Sequence, residues 1–590
     1  MRTPRFFPLL LSLALPLAAA PAGDLARLLK DYDESRLQLY PAEGLWRGDY
    51  RFLDRYEENL TDAHLAERRR LNAGFRTRLA AIDGRTLSPQ DRLSRDILDW
   101  DLADEAESLA PGLGERFQLL PLEHFYGRHQ SFAQEMQWRG RFPFRTAADY
   151  DKAMARMHGF ARWIDEAIVR MRQGAAQGVV QPRVIVERMI AQAEVPARTP
   201  SEQSVFFGPI AHLPAAIAGD ERIRLTAAYR RAIDETVLPA YRRLLTFFLQ
   251  EYLPRARSAV GLGAMPGGRE MYLHLARSRT TTSLPPDEIH AIGLREVERI
   301  AAEMERVKTR TGFTGSMEEF RTFLRTVPRF KFKDQAAMLA EFERVKRHVE
   351  DYLAGIFGHM PKTPCEIRFF EPFVAPTKAA AEYHRPPADG FRPGIMFINS
   401  HDLPSRPTYT TEGLSLHEAQ PGHHFQISLA IENHDLPEFR RFGGPTAYVE
   451  GWALYCESLG KDLGLYTDPY QEFGELTFEI WRACRLVVDS GMHWKGWSRE
   501  DAIAYLLGHT SLSETDVVAE VERYIVLPGQ ALAYKIGQLK LLELRARAQK
   551  ALGPKFDLRR FHDAVLLDGA MPLSILEAKI DLWIATEKGG

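Results

Sequence analysis

From about Asp24 to Glu270, apolar residues recur at helical spacing with charged residues on the opposite face, as in Tyr229 to Leu253, which predicts a stack of amphipathic helices. A sharper stripe follows Pro285-Pro286: Ile289, Ile292, Val297, Ile300, Met304 and Val307 repeat with a period near 3.6, and Gly312 supplies a stop. Ser316-x-x-Glu319 reads as a capping box opening the next helix. The texture changes at Pro361. Cys365 to Phe373 and Arg392 to Asn399 are short β-rich runs separated by the loop His384 to Gly390, which predicts a small hairpin or sheet inside a helical protein. Helical patterning returns near Thr410 and continues to the C-terminus. The fold class expected is mainly α. With no internal repeat, the simplest organisation is one catalytic unit over 23–590, with a helical half at 23–270 and a chemistry-bearing half at 271–590.

Composition changes this picture little. In 590 residues, 77 Lys+Arg balance 79 Asp+Glu, and a net charge of −2 gives no electrostatic reason to expect nucleic acid or an anionic membrane as partner. Cys365, Cys456 and Cys484 allow at most one bridge and have no C-x-x-C spacing, so stability must come from packing. Arg2 and Arg5 precede an apolar run from Phe6 to Leu17 and the small residues Ala18 to Ala22, which reads as a signal peptide over 1–22, cleaved near Ala20 or Ala22. A membrane anchor is the rival, disfavoured by Pro8, Pro16 and the shortness of the run; no cysteine follows it, which argues against a lipoprotein. The expectation is a periplasmic or secreted protein without a stable anchor.

The segment with most chemistry is Leu416-His417-Glu418-Ala419-Gln420-Pro421-Gly422-His423-His424. A zinc hydrolase needs two imidazoles on one metal and a glutamate beside the first as general base. On a straight helix, six steps put His423 roughly 120° away from His417, whereas seven return His424 to the same face about 10 Å along the axis. Pro421 cannot donate to the carbonyl of His417 and Gly422 tolerates unusual backbone, so a two-residue bulge would bring His423 to the place of an i+4 ligand. His424 stays as the weaker candidate. A third ligand should come from another helix, and Glu450 and Glu457 share a face of the apolar segment Tyr448 to Glu457. Acidic groups there need neutralising, which Glu450 as ligand and Glu457 as acceptor from a ligating histidine would achieve.

The H-E-A-x-P-G-H-H pattern at His417 to His424 and E-G-W-A-x-Y at Glu450 to Tyr455 resemble those of the bacterial domain-of-unknown-function family 885, and the resemblance spans Met271 to the C-terminus. That family is grouped with zinc metallopeptidases. More distantly, Tyr448-Val449-Glu450 followed by Glu457 resembles the second zinc helix of thimet-type oligopeptidases, which implies a helical gluzincin with a deep cleft and one zinc ion per chain. The two-residue insertion between the histidines departs from that pattern. Pro528 to Tyr534 resembles the glycine- and tyrosine-rich segment that supplies an oxyanion donor in the thimet-type enzymes and nominates Tyr534, with a packed core tyrosine as the rival reading. Arg482, Arg485, Asp489 and His493 form a polar stripe at i, i+3, i+7 and i+11, readable as a ligand-orienting or substrate-carboxylate site, with His493 a catalytic candidate, or equally as a structural ion-pair network. Gly394 to Asn399 precedes the zinc helix where zincins keep the edge strand that pairs with an extended peptide, making Asn399 a substrate-side candidate.

The function these residues imply is hydrolysis of short peptides: zinc on His417, His423 and Glu450, Glu418 as base, and Tyr534 at the oxyanion. The alternatives are a zinc amidase on cell-wall or other non-protein amides, and a catalytically silent helical binding protein.

Overall fold

The structure is a computed structural model, and it describes residues 21–371, 375, 378–388 and 392–589. Most of the expected signal peptide, residues 372–373 of the first β-rich run and residues 389–390 of the loop lie outside the described residues. The chain is mainly helical, with one three-stranded sheet among the described residues.

In the N-terminal half the longest helix, Ala147–Ala176, starts where Thr146 accepts from the amide of Asp149 and Asp149 closes a capping box. Its apolar stripe, including Met157, Phe160, Ile164 and Met171, is fully buried. It packs against Leu238–Phe247 and Gly219–Ala232. The expected helix after Pro285 runs Pro286–Arg310, Gly312 follows at φ 79°, and the Ser316–Glu319 capping box opens Met317–Thr326. Two large apolar clusters cross the boundary near residue 270, while a third, smaller one lies around the sheet, from Met338 to Phe478. Of the large pair, one joins Phe160 and Tyr241 to Ile480, Val488 and Tyr524; the other joins Leu25 and Leu98 to Trp452, Leu532 and Leu576.

Strands β1 (Cys365–Phe369), β2 (Ala381–His384) and β3 (Gly394–Ile398) form the sheet in the order β1-β3-β2. β3 pairs parallel with β1, Cys365 opposite Gly394, and antiparallel with β2, Tyr383 opposite Met396. This corrects the expected edge strand. Gly394 to Ile398 is central, its ladder is taken on both sides, and it has no edge to offer a peptide. Burial explains the placement: Met396 and Ile398 are fully buried, as expected of a strand covered on both sides.

Behind the sheet, five helices carry the candidate chemistry: Thr411–Glu418, His423–Glu432, Thr446–Glu457, Pro469–His493 and Leu532–Leu552. Thr446–Glu457 lies along Leu532–Leu552 so closely that a Cβ on Gly451 would meet Gly537 Cα at 2.4 Å. The two helices meet backbone to backbone, and glycine at both positions is what the contact requires.

Candidate metal centre

The first helix ends at Glu418 and a second begins at His423, so the expected bulge in one helix is instead a break between two. Gln420–Pro421 is a cis peptide. Gly422 lies so near the preceding turn that a Cβ there would come within 1.9 Å of the His417 carbonyl oxygen and 2.3 Å of that of Leu416. The Trp452 indole N–H donates to the Pro421 carbonyl over 2.9 Å, tying the turn to the Glu450 helix. The tight turn returns His423 to His417, with ring centroids 4.8 Å apart and planes at 88°.

His417, His423 and Glu450 then converge, their ligand atoms all within 4.8 Å of one another. Glu450 Oε2 lies 3.3 Å from His423 Nε2 and 3.9 Å from His417 Nε2, and no hydrogen bond reaches that oxygen. Tetrahedral zinc with bonds of about 2.0–2.1 Å holds its ligands roughly 3.4 Å apart, so this donor set fits such an ion. The other nitrogen of His417, Nδ1, contacts Glu457 Oε1 at 2.7 Å, which leaves Nε2 free and fixes the ring. His423 has no comparable prop, since its Nδ1 is buried without a partner.

Burial sets the electrostatics. It pushes the Glu418 carboxyl up to about 7 and that of Glu457 up to about 8, and it holds the His417 imidazole well below its ordinary range, with the charges of His423, Arg482 and Arg485 adding to the last effect. Burial also opposes ionisation of Glu450, but His423 outweighs it and the carboxyl stays below its ordinary value.

Tyr534 stacks on His417 at 6.5 Å and 12° between planes, and lies close enough to Glu450 to help hold that carboxylate ionised. Its oxygen accepts from Arg523 Nη2 and Gln530 Nε2, each at 3.3 Å, which leaves its proton to be donated elsewhere. The Arg485 guanidinium lies over the ring, 4.4 Å from its centroid, and is held by the Tyr524 hydroxyl at 2.9 Å and Glu520 at 3.1 Å. Arg482 Nη2 is 3.6 Å from Glu457 Oε1.

The remaining candidates lie outside this cluster. His424 contacts the Thr363 carbonyl through Nε2 at 3.0 Å and the Tyr383 hydroxyl through Nδ1 at 3.1 Å, so both nitrogens are engaged away from the triad. His493 does not have the geometry of a catalytic group. Its Nδ1 accepts from the Leu262 amide at 3.1 Å and its Nε2 donates to the Tyr524 carbonyl at 3.0 Å. Asp489 accepts from the Tyr272 hydroxyl at 2.7 Å and from the Gly529 amide at 3.1 Å, holding the turn that leads into the Tyr534 helix. Asn399 donates to the carbonyls of Ala375 and Lys378 and accepts from the His401 amide, with no group left for a substrate. Trp452, Arg523, Gln530 and Glu520 are the neighbours that pattern reading missed. The visible signals were the Trp452 position within E-G-W-A-x-Y and the Gln530 position within Pro528 to Tyr534.

With this geometry in hand, comparison with known proteins gives the lineage. The family model described as "Bacterial protein of unknown function (DUF885)" matches residues 41–580. The chain belongs to this family. The DUF885 chain is also similar to a solved candidate lipoprotein from Colwellia psychrerythraea, with 29% identity, a TM-score of 0.88, and coverage of 96% of this chain and 100% of that one. A candidate lipoprotein of unknown function from Shewanella oneidensis, 17% identical with a TM-score of 0.74, covers 94% of this chain with 99% of its own and shows the same fold. No curated protein matches the chain. No helix among the described residues is long and apolar enough to cross a membrane.

Proposed function

We propose that this DUF885 protein is a zinc-dependent metallopeptidase that hydrolyses short peptides. The observation that carries the reading is the convergence of His417, His423 and Glu450 within 4.8 Å, with a buried glutamate, Glu418, next to the first ligand in the chain. His417 Nε2, His423 Nε2 and Glu450 would hold the ion. Zinc, when bound, supplies Lewis acidity that makes water nucleophilic near neutral pH and polarises a carbonyl.

The chain's own groups do the rest. Glu418, its carboxyl pushed up to about 7 by burial, takes the proton from the attacking water and returns it to the departing amine. Tyr534, whose oxygen accepts from Arg523 and Gln530, directs its single proton toward the carbonyl oxygen as negative charge grows there. Glu457 keeps the His417 ring in one orientation throughout. Export is part of the same reading, supported by the N-terminal apolar run and by two structural relatives described as candidate lipoproteins.

The test pairs metal with turnover. Purified protein is expected to carry about one zinc per chain and to cleave members of an unstructured peptide library, with Glu418→Gln keeping the metal and losing roughly 10² to 10⁴ in rate. Undiminished hydrolysis by Glu418→Gln, or wild-type protein that neither retains zinc nor cuts a peptide, would refute it.

A further inference from the structure

Three buried guanidinium groups gather beside the centre, and each keeps a nitrogen that no protein group pairs. Arg482, Arg485 and Arg523 all surround Tyr534. The carboxylates that face them are Glu457, which gives one oxygen to His417; Glu520, which Arg485 and Arg523 share at 3.1 and 3.4 Å; Glu418, which faces Arg482; and Glu450, which faces Arg523 and converges with the two histidines. Each guanidinium also has a buried nitrogen with no partner: Arg482 Nε, Arg485 Nη1 and Arg523 Nε. Buried, under-paired guanidinium groups are costly, and the ligand that relieves the cost is an anion, best of all a carboxylate that matches their planar fork.

Accessibility separates the three. Side-chain exposure is 3% for Arg485, 6% for Arg482 and 12% for Arg523. Arg523 also lies under the partly exposed ring of Phe125, 5.2 Å from its centroid, and the neighbouring Tyr126 is exposed. Both belong to a turn of the N-terminal half. Arg485 and Arg482 therefore form the charged backing and Arg523 the face that a ligand meets. Its Nη2 stands 3.3 Å from the Tyr534 hydroxyl. If that hydroxyl serves the reacting carbonyl, the guanidinium is a few ångströms further on, and an extended chain advances only about 3.3–3.6 Å per residue.

Resting on the peptidase reading above, we propose that Arg523 receives the free α-carboxylate of a peptide, so that the centre removes one or two residues from the C-terminal end.

Two measurements test this. The first is binding, which needs no turnover: zinc-loaded full-length Glu418→Gln is titrated calorimetrically with an unstructured N-acetylated pentapeptide as its free acid and as its C-terminal amide. The free acid should bind at least about 30-fold more tightly, and Arg523→Gln in the same background should bring it down to the level of the amide, with Arg523→Lys restoring part of the difference. Zinc content and thermal midpoint, followed in parallel, show that the variants are folded. Equal binding of acid and amide, or equal weakening of both by Arg523→Gln, would overturn the proposal.

The second is product mass analysis of wild-type digests. Loss of one or two C-terminal residues from the free acid is expected, and cuts at internal bonds of long peptides at equal rates for acid and amide would overturn it. Repeating the titration in chloride and in chloride-free buffer identifies the source of the anion. If chloride abolishes the acid–amide difference, the site is an inorganic-anion site and the proposal fails. A protein that binds the acid preferentially yet cuts no peptide would refute the peptidase reading and leave the carboxylate site standing.

Discussion

The spacing of the two histidines depends on a contact that can be altered by one methyl group. In Gly422→Ala the new Cβ would sit 1.9 Å from the His417 carbonyl oxygen, against the 3.4 Å at which ordinary contact begins, so the turn must yield by about 1.5 Å. His423 is the next residue, and metal–ligand distances tolerate only about ±0.2 Å. A shift several times larger removes one of three protein ligands, and zinc affinity should fall by at least ~100-fold, about 2.8 kcal/mol. Trp452→Phe gives a graded comparison. It deletes the indole N–H that holds the Pro421 carbonyl while keeping most of the ring, and should cost about 0.5–1.5 kcal/mol, or roughly two- to twelvefold in affinity. Competition with a zinc-chelating dye at fixed pH reads both values, and circular dichroism with a thermal midpoint shows whether each variant is folded. Wild-type zinc affinity in a folded Gly422→Ala protein, or a larger loss in Trp452→Phe than in Gly422→Ala, would refute the idea that this turn sets the ligand spacing.

Two further outcomes follow from the same geometry. His423→Ala should abolish tight zinc binding, whereas His424→Ala should keep it and lose about 1–3 kcal/mol of stability by orphaning the Thr363 carbonyl and Tyr383 hydroxyl, as denaturant titration with and without zinc would show. Buried histidines should make the stability of the fold depend on pH above the range where most carboxylates titrate. Burial holds His129 and His493 down to about 4 and His562 to about 3, so all three are neutral when folded. With folded values below the unfolded ~6.5, their contribution is complete above pH 6.5 and lost as pH falls toward 4, each by up to roughly 1.4 kcal/mol per pH unit. Buried carboxyls held up, Asp489 to about 7 and Glu457 to about 8, act in the opposite sense over the same window, so the imidazole share is read by comparing urea midpoints at pH 7.5 and 5 in the wild type and in His562→Gln: the variant should lose less stability on acidification, and an unchanged difference would contradict the assignment.

Much of the molecule follows from local rules. The helix after Pro285, its end before Gly312 and the Ser316–Glu319 cap were all readable, because they depend on residues within one or two turns of each other. His417, Glu418 and Glu450 stood out because a His-Glu pair and acidic residues in an apolar segment each have few chemical uses. The choice between His423 and His424 could not be made from spacing, which put one on the wrong face and the other a turn too far. The close approach of Gly422 to the His417 carbonyl, and the anchor from Trp452 some thirty residues later, bring His423 and not His424 beside His417 and Glu450. The polar stripe from Arg482 to His493 was real as a stripe, yet its members do separate work: Arg482 and Arg485 face the centre, Asp489 holds the Gly529 turn, and His493 serves two backbone groups. The strand at Gly394 to Ile398 likewise reads as β from its residues, and only its two neighbours make it central. Sequence by itself determined which residues form helices and strands and which side chains can bind a metal, since those are properties of single residues and near neighbours. The tertiary structure decided which of them meet, because the convergence of His417, His423 and Glu450, the gathering of guanidinium groups around Tyr534 and a strand's place in a sheet are set by contacts between segments that carry no mark of one another.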